Sequence, residues 1–191
     1  MPRKPPPDSD LNERRELLDA AGITRTLRRM AHEIAERIPQ DDRPLYLVGV
    51  RTGGAYLAQR LCAELAAAGE AKPILGAVDI SLYRDDVFHG LPKPEIGPTD
   101  LPEPIERRTI VLVDDVLFTG RTIRAAMDVL ADYGRPRAVK LAALVDRGRR
   151  ELPIQPDFVG LALQTTARES VRVMLAERGE PDRVVLRERP A

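Results

Sequence analysis

The sequence has few cysteines, no long apolar run and no apolar N-terminal stretch. Cys62 is its only cysteine, and an apolar helical pattern around it predicts a buried small hydrophobic side chain rather than a nucleophile or half of a disulfide. We find no cluster of metal-ligating residues in the sequence. No apolar run approaches the roughly 18 to 20 residues of a membrane span, and residues 1–10 lack the apolar stretch of an export signal. We therefore expect a cytoplasmic protein that does not bind a membrane.

The sequence also lacks net charge. Its 191 residues contain 30 basic and 30 acidic side chains, so no overall charge favours nucleic acid. Any surface that binds nucleic acid must therefore arise from a local cluster of basic side chains. The strongest asymmetry lies between residues 135 and 150, where six side chains are basic and one is acidic.

The proline-rich start of the chain predicts a disordered or weakly ordered leader over residues 1–20. Its composition buries too little apolar surface to offset the entropy lost on ordering. Residues 21–191 are then expected to form one domain, which is long enough for a three-layer core.

One stretch, residues 109–123, organises the chain. The β-branched, apolar run at 110–113 predicts a parallel strand that is buried on both faces. Two carboxylates and a loop at 119–122 follow, and a helical pattern starts at Ile123. Gly120 can adopt positive φ, the threonine hydroxyls are donors, and a helix N-terminus offers unpaired N–H groups. This order predicts a cradle for a phosphate monoester.

Asp114 and Asp115 cannot bind that phosphate directly, so they need hydroxyls or a hard cation as partners. A ligand with a phosphate, a sugar diol and a metal-bound polyphosphate fits the whole stretch, and 5-phosphoribosyl 1-diphosphate has that layout. The alternative is an ordinary buried strand that ends in an Asp-Asp turn. That alternative leaves two adjacent buried carboxylates without partners, which is costly.

A second strand, loop and helix precede this stretch. An apolar strand at 45–50 runs into Arg51, Thr52, Gly53 and Gly54, and a helix is expected over 55–68. A small, cationic loop suits an anion, although a plain turn is the alternative. A strand is expected at 77–82, and the proline-rich segment 87–106 that follows is interpreted as a lid that excludes water rather than as a disordered segment.

The remaining pattern predicts a helix over 22–37 with Thr24 as its N-cap, and strands at 139–145, 158–163, 171–175 and 184–186. Parallel units of this kind place their loops at one sheet edge, where open α/β folds bind ligands. The first helix carries basic residues on one face, with the spacing i, i+3, i+4 and i+7: Arg25, Arg28, Arg29 and His32. A solvated face beside Glu33 and Glu36 is the alternative.

Residues 111–122 resemble the signature of type I phosphoribosyltransferases. Four further stretches, at 27–36, 79–86, 113–125 and 144–154, resemble the PyrR family. The resemblance implies an α/β fold with a mostly parallel central sheet flanked by helices, a small hood and a mobile lid loop. It also implies two activities: uracil phosphoribosyltransfer from 5-phosphoribosyl 1-diphosphate to give UMP, and attenuation of pyrimidine operons through leader mRNA bound in the presence of a uridine nucleotide such as UMP or UTP.

The resemblance implies the following site. Arg51, Thr52, Gly53 and Arg84 hold the diphosphate. In the family the loop that corresponds to 51–54 often contains a non-proline cis peptide, and the sequence leaves cis and trans open here. Val113, Asp114, Asp115, Val116, Leu117, Phe118, Thr119, Gly120, Arg121 and Thr122 hold the phosphoribosyl group, and the backbone near Val145 and Arg147 binds uracil. Asp114 and Asp115 also take part in the Mg²⁺ shell, and with Arg51 and Arg84 they are the expected catalytic residues. Arg84 has a plainer alternative, a surface ion pair with Asp85 or Asp86.

Phe118 favours a pyrimidine substrate. Purine-salvage relatives place an aspartate there that can act as acid or base, whereas Phe118 cannot move a proton. Orotate-type relatives have a lysine-rich mobile loop, whereas residues 87–99 contain only Lys93.

The expected RNA-binding residues are Arg25, Arg28, Arg29, His32, Arg149 and Arg150, and a homodimer or higher homo-oligomer would double this patch. Relatives with a clear regulatory role usually have histidine in place of Arg149, a basic residue in place of Gln155 and threonine in place of Arg28. Phosphate attraction can survive such changes while recognition of bases is lost. Two alternatives therefore stay open: a phosphoribosyltransferase that has lost RNA regulation, and a nucleotide-sensing RNA-binding regulator with little catalysis.

Overall fold

The computed structural model describes residues 12–38, 44–70, 72–81, 83 and 98–188. Its strands are β1 (Asn12–Leu18), β2 (Tyr46–Val50), β3 (Ile74–Val78), β4 (Thr109–Leu117), β5 (Ala138–Asp146), β6 (Phe158–Ala162), β7 (Glu169–Met174) and β8 (Arg183–Glu188). Its α-helices are α1 (Ala20–Arg37), α2 (Gly53–Ala67) and α3 (Arg121–Tyr133). None of these helices is long and apolar enough to cross a membrane.

The central sheet has five strands in the order β3-β2-β4-β5-β6, and every neighbouring pair is parallel. All residues of β2 are buried, as are residues 110–113 of β4, because helices cover both faces. One apolar core lies between the sheet, α1 and α2, and a second lies between the sheet and α3. The structure therefore confirms the predicted α/β fold with a parallel central sheet.

Helix α1 starts earlier than predicted. Its N-cap is Asp19, whose Oδ1 accepts a hydrogen bond of 2.6 Å from the Gly22 amide. The predicted cap, Thr24, lies one turn inside the helix, where its hydroxyl donates to the carbonyl of Ala20. The prediction of Thr24 as N-cap is therefore wrong.

A second, antiparallel sheet in the order β1-β8-β7 forms the hood. It contains Asn12–Leu18, so the predicted leader over 1–20 is wrong for these residues, while residues 1–11 lie outside the described part. Glu13 forms a two-pronged ion pair with Arg183, with both contacts at 2.9 Å. Strand β1 forms because β8, far away in sequence, supplies its partner, and local composition carries no sign of that pairing.

Two strand boundaries also differ from the predictions. Strand β3 ends at Val78 because the side chain of Asp79 accepts a hydrogen bond of 2.8 Å from the Ser81 amide, which turns the chain. Strand β4 continues beyond Val113 to Leu117, since its parallel ladder with β5 persists to the pair of Leu117 and Asp146. The two aspartates therefore lie on the strand and not on a turn.

The predicted lid divides into two parts. Residues 84–97 lie outside the described residues. Residues 98–106 are packed against the edge of the sheet: Asp100 exchanges two backbone hydrogen bonds of 2.8 Å with Ala77, and Ile105 is fully buried. The lid hypothesis therefore applies only to residues 87–97.

Arg60 of α2 fixes the hood to the central domain. It donates to both carboxylate oxygens of Glu177, at 2.8 and 2.5 Å, and to both of Asp182, at 2.7 and 2.8 Å. Its side chain is 21% exposed, so water screens these pairs only in part. These hydrogen bonds lower the pKa of Glu177 and of Asp182 below their usual values. We call these three residues the Arg60 latch.

We predict that Arg60→Gln lowers the free energy of unfolding at pH 7 by about 1–3 kcal/mol, the range for a lost charge-assisted hydrogen bond. Both acids have lowered pKa values, so the latch stabilises above their unfolded pKa values, and its contribution is lost as pH falls through the folded ones. The difference between the variant and the wild type should therefore shrink below about pH 4. Urea unfolding at pH 7 and pH 3 measures it, and a difference that does not change with pH would contradict the latch.

Candidate active site

Three loops meet at the carboxyl edge of the central sheet. They follow β2, β4 and β5, which are adjacent strands, so the predicted sites at 51–54, 119–122 and 145–147 lie next to one another. This arrangement is the one expected for a ligand site in an open parallel sheet.

The loop after β4 forms a cradle. Gly120 is the N-cap of α3 with φ 93°, a left-handed conformation that favours glycine, and it has no side chain with which to cap the helix. The carbonyl of Thr119 accepts hydrogen bonds from the amides of Glu151 (3.0 Å) and Leu152 (3.1 Å), which hold the loop in place. The Arg121 amide makes a long hydrogen bond of 3.4 Å to Thr119 Oγ1, and the amides that follow it in the first turn of α3 remain available to an anion. Arg121 forms an exposed ion pair with Glu151, so its part in the cradle is its backbone.

The two carboxylates lie beside this cradle. Asp114 is 5% exposed, and its Oδ1 accepts a hydrogen bond of 3.0 Å from the Asp115 amide. The Oδ1 of Asp115 accepts a hydrogen bond of 2.8 Å from the Val116 amide. Burial of the carboxyl raises the pKa of Asp115, although these hydrogen bonds oppose the rise. In its ionised form, the Asp115 carboxylate near the end of the central strand therefore lowers the stability of the folded state.

The loop after β2 packs directly on Asp115. A Cβ atom added to Gly53 would collide with the Asp115 carboxylate, so only glycine permits this approach. The peptide bond between Arg51 and Thr52 is cis, which decides between the two alternatives that the sequence left open. The amide of Arg51 donates to the carbonyl of Val78 at 3.0 Å, which joins the loop to the edge strand.

Arg51 has unused hydrogen-bonding capacity. Its Nε atom is buried and has no hydrogen-bond partner within the described residues. A cavity of about 150 Å³ adjoins the loop. Its polar lining comes from Arg51, Thr52, Tyr56, Gln59 and Asp100. A buried guanidinium N–H without a partner is costly, so this loop is suited to an anionic ligand.

The loop after β5 contributes an aromatic-cation pair that the sequence did not predict. The guanidinium of Arg147 stacks over the ring of Phe118, 4.0 Å from its centroid. Arg147 is 8% exposed and donates to the Thr165 hydroxyl (3.0 Å) and the Glu169 carbonyl (2.6 Å), while burial lowers its pKa. Thr165 lies just before the hood sheet, and Glu169 is the first residue of its strand β7. Both are far from Arg147 in sequence, so no local sequence pattern predicts these contacts.

The backbone expected to bind uracil is partly engaged within the protein. Val145 is buried and pairs with Val116 in the ladder. The amide of Arg147 donates to Leu117 at 3.1 Å. A carbonyl oxygen accepts two hydrogen bonds, so the carbonyl groups of this segment keep capacity for a ligand, whereas the Arg147 amide does not.

The structure separates the predicted RNA-binding residues into two kinds. Arg25, His32 and Arg149 are exposed. Arg28 pairs with Glu64 at 3.1 Å. Arg150 turns inward: it donates to the carbonyls of Phe118 and Ile154, each at 2.9 Å, and pairs with Asp146 at 2.7 Å. Arg150 therefore holds the loop together and does not offer its charge to a partner.

The exposed basic residues approach one another along the edge strand β6. Arg29 of α1 donates to the carbonyl groups of Val159 and Gly160, at 2.9 and 2.6 Å. The loop that bears Arg149 reaches the end of the same strand, where Gly148 lies against the Gln164 side chain. The basic face of α1 and the β5 loop thus border one edge of the molecule.

Two predicted features need separate mention. Arg84, expected to hold the diphosphate, lies outside the described residues. No group of three or more metal-ligating side chains occurs in the part of the chain that the structure describes. Asp114 and Asp115 are nevertheless a fitting donor set for Mg²⁺, which commonly takes one or two carboxylates and completes its shell with water and substrate phosphates.

Comparisons with known proteins agree with this geometry. The family model "Phosphoribosyl transferase domain" matches residues 13–178. Similar folds occur in a hypoxanthine-guanine phosphoribosyltransferase from Bacillus anthracis (16% identity, TM-score 0.67, 91% of this chain and 98% of that one) and in the hypoxanthine phosphoribosyltransferase of Trypanosoma cruzi (18%, 0.67, 94% and 98%). Fold and site together define a phosphoribosyltransferase.

The relatives narrow the class further. The "Bifunctional protein PyrR" of Geobacter sulfurreducens is 51% identical over 170 residues, which span 89% of this chain and 96% of that protein. The protein of the same name in Streptomyces coelicolor is 50% identical over 180 residues, 94% of this chain and 92% of that protein. The chain belongs to the PyrR family of phosphoribosyltransferases.

We predict that Asp115→Asn stabilises the fold at pH 7. The raised pKa means that ionised Asp115 costs stability above its unfolded pKa, and asparagine removes the charge while it can still accept from the Val116 amide. The gain should shrink as pH falls and wild-type Asp115 takes up its proton. Thermal unfolding between pH 4 and pH 8 measures the effect.

The matched control is Asp128→Asn, which removes a carboxylate exposed on α3 and paired with Arg124. This variant should not gain stability. A lower melting temperature for Asp115→Asn than for the wild type at pH 7 would show that the carboxylate is not destabilising.

Proposed function

We propose that this chain is a uracil phosphoribosyltransferase, which converts uracil and 5-phosphoribosyl 1-diphosphate into UMP and diphosphate. The observation that carries the proposal is the contact between Asp115 and Gly53, which sets an acidic pair against an anion-binding loop beside a phosphate cradle. The relatives named bifunctional PyrR support the same assignment.

The substrate's 5-phosphate lies in the cradle at residues 119–122. It accepts hydrogen bonds from the free amides of α3 and from the hydroxyls of Thr119 and Thr122, and the helix dipole favours its negative charge. The ribose then extends over β4, where Asp114 and Asp115 accept hydrogen bonds from its two hydroxyls. The diphosphate lies at Arg51 and Thr52, which place charge-assisted donors on it.

A magnesium ion is part of this proposal. Asp114 and Asp115 would hold it, directly or through water, and it would neutralise diphosphate charge and so favour departure of that group. The protein's own residues bind and orient the sugar between the cradle and the acidic pair.

The C1–O bond to diphosphate breaks as the N1 atom of uracil attacks from the opposite face, which inverts the anomeric centre. The N1 proton passes to the departing diphosphate or to water. Positive charge develops on the ribose ring, and the nearby carboxylates stabilise it electrostatically. Phe118 occupies the position at which purine-salvage relatives have an aspartate that can exchange a proton with the nucleobase. Phe118 has no titratable group and cannot do so. Catalysis therefore comes from positioning and from charge placement.

Uracil lies at the β5 loop in this proposal. The stack of Arg147 on Phe118 gives the loop a fixed, planar wall, and carbonyl groups of residues 145–147 accept from the base. A flat wall and fixed acceptors suit a pyrimidine that presents N–H groups.

We also propose that the chain binds pyrimidine-operon leader mRNA when a uridine nucleotide is present. The surface consists of Arg25, Arg28, Arg29, His32 and Arg149, with Arg150 in a supporting role. The link between α1 and β6 through Arg29 supports this surface, since it places the basic face beside the β5 loop. A homodimer would present two such surfaces to one RNA.

For the enzyme, we predict that Asp115→Asn reduces kcat/KM for uracil at least about 100-fold, because a carboxylate that stabilises transition-state charge is lost. A coupled assay for diphosphate release measures it, with hypoxanthine and orotate as competing substrates. The control Asp128→Asn should keep wild-type turnover. Wild-type activity in Asp115→Asn would remove the acidic pair from the mechanism.

For the RNA, we predict that Arg25→Ala with Arg149→Ala weakens leader binding and reduces the slope of log K against log salt by about 2, one unit for each lost phosphate contact. Uracil turnover should stay unchanged. The matched control is Arg107→Ala with Arg135→Ala, two exposed arginines at the opposite edge of the sheet.

Gel shifts at 50–200 mM salt, with and without UMP, provide the measurement. Equal affinity for the wild type and the Arg25/Arg149 variant would reject the surface, while equal losses in both double variants would show nonspecific attraction.

A further inference from the structure

The segment that links β6 to the hood runs beside the β5 loop. The ladder of β5 and β6 ends where Asp146 pairs with Ala162, and the next amide, that of Leu163, donates to the Asp146 carbonyl at 2.9 Å. Gly148 packs against the Gln164 side chain. The register of two central strands therefore determines which residue of the segment comes next to the loop.

Thr165 is that residue, and it forms two hydrogen bonds with Arg147. The Nε–H group of Arg147 donates to the Thr165 hydroxyl at 3.0 Å, and this hydroxyl donates to the Arg147 carbonyl at a longer 3.4 Å. The first bond holds the guanidinium, and the second restrains the peptide group of the same residue. Thr165 is only 6% exposed, so water competes weakly with these bonds.

The hood holds the same edge of the guanidinium. The Nη2 atom of Arg147 donates to the Glu169 carbonyl at 2.6 Å. The Glu169 carboxylate accepts from the Thr166 amide at 2.8 Å and pairs with Arg14 of β1 at 3.6 Å. These contacts hold the turn at 166–169 independently of Arg147. Two acceptors on one edge of a planar group fix the plane of that group.

This plane is the one that covers Phe118, since the Arg147 guanidinium lies 4.0 Å from the centroid of the Phe118 ring. Phe118 directly precedes the phosphate cradle at 119–122. In the proposed reaction the base lies against this stack and against carbonyl groups of residues 145–147. Thr165 contacts both elements, because it bonds to the guanidinium of the stack and to one of these carbonyl groups.

Uracil depends on such a fixed surface more than a larger base does. Its single ring offers few contacts, so its orientation toward C1 of the ribose follows the positions of the wall and of the acceptors. Without the Thr165 hydroxyl, the buried Nε–H group of Arg147 would lack its partner. The guanidinium would then be held by the Glu169 carbonyl alone and could tilt over the ring.

We propose that Thr165 is a positioning residue for uracil, whose hydroxyl holds the Arg147 guanidinium on Phe118 and the Arg147 carbonyl in place. This inference rests on the proposed function. Thr165 acts through Arg147 and not on the substrate itself. Its influence is therefore confined to the base, because the phosphate cradle and the diphosphate loop follow other strands, β4 and β2.

The test compares Thr165→Val, which removes the hydroxyl at nearly constant volume, with Thr165→Ser, which keeps it. Thr165→Val should raise KM for uracil about tenfold, the effect of one hydrogen bond to a charged group. KM for 5-phosphoribosyl 1-diphosphate should change less than twofold. Thr165→Ser should restore KM for uracil to within about twofold of the wild type, because the hydroxyl is what matters.

The matched control is Thr109→Val at the start of β4. The Thr109 hydroxyl also accepts from an arginine, Arg137, at 2.7 and 3.2 Å, but it lies at the opposite end of the sheet from the site. This variant should leave both Michaelis constants unchanged. If Thr165→Val does not fold, Thr165→Ala serves the same comparison, since it also removes the hydroxyl and places no methyl group against the guanidinium.

Three results would overturn the inference. The first is an unchanged KM for uracil in the variant without the hydroxyl. The second is an equal rise for both substrates, which indicates general distortion. The third is a Thr165→Ser variant as weak as Thr165→Val, which indicates that packing of the methyl group matters and not the hydroxyl.

Calorimetry with UMP and with ribose 5-phosphate separates this inference from the proposed function. UMP contains the base and ribose 5-phosphate lacks it, so Thr165→Val should weaken binding of UMP alone, about tenfold. A wild type without uracil turnover would reject the proposed reaction, whereas this selective loss for UMP would still support the positioning role. Equal affinity of the two proteins for UMP would reject the role.

Discussion

The contact between Asp115 and Gly53 is the constraint on which the site depends. The half-buried Asp115 carboxylate near the end of the central strand leaves room only for backbone on the neighbouring loop, and Gly53 supplies it. The anion-binding loop is thereby held within reach of the acidic pair, and α2 begins immediately beyond it. The orientation of α2 in turn places Arg60, and Arg60 places the hood. The approach of Gly53 to the Asp115 carboxylate thus influences the positions of the loop, α2 and the hood.

The sequence was informative where chemistry is local. The apolar run before Asp114 predicted a doubly buried strand, and Gly120 with its threonines predicted an uncapped helix start, because both depend on adjacent residues. Aspartate is a good capping residue, but Asp19 was not predicted as the N-cap. The predicted helix began at residue 22, two residues after its observed start at Ala20. The spacing of Arg25, Arg28, Arg29 and His32 correctly gave a helix face.

The contacts that escaped prediction join distant parts of the chain. Strand β1 is charged along most of its length and forms only because β8 pairs with it. Arg150 belongs to the most basic stretch of the sequence, but its guanidinium binds carbonyl groups within its own loop and in the Phe118 turn. Arg147 needs Thr165 and Glu169, which sequence spacing does not connect to it. The number of basic residues in a stretch does not show which arginines form hydrogen bonds within their own loop and which can bind RNA or another ligand.

The hood sheet has a consequence for how the molecule is made. Its strands β1 and β8 are the first and last described elements, and they pair from Asn12 with Glu188 to Leu18 with Val184, with two irregularities in register. During synthesis, β1 leaves the ribosome long before β8 exists, so its edge must wait unpaired while the parallel sheet assembles. The charged side chains of β1 oppose aggregation through this unpaired strand edge. Arg147 likewise gains its partners Thr165 and Glu169 only when translation has passed the start of β7.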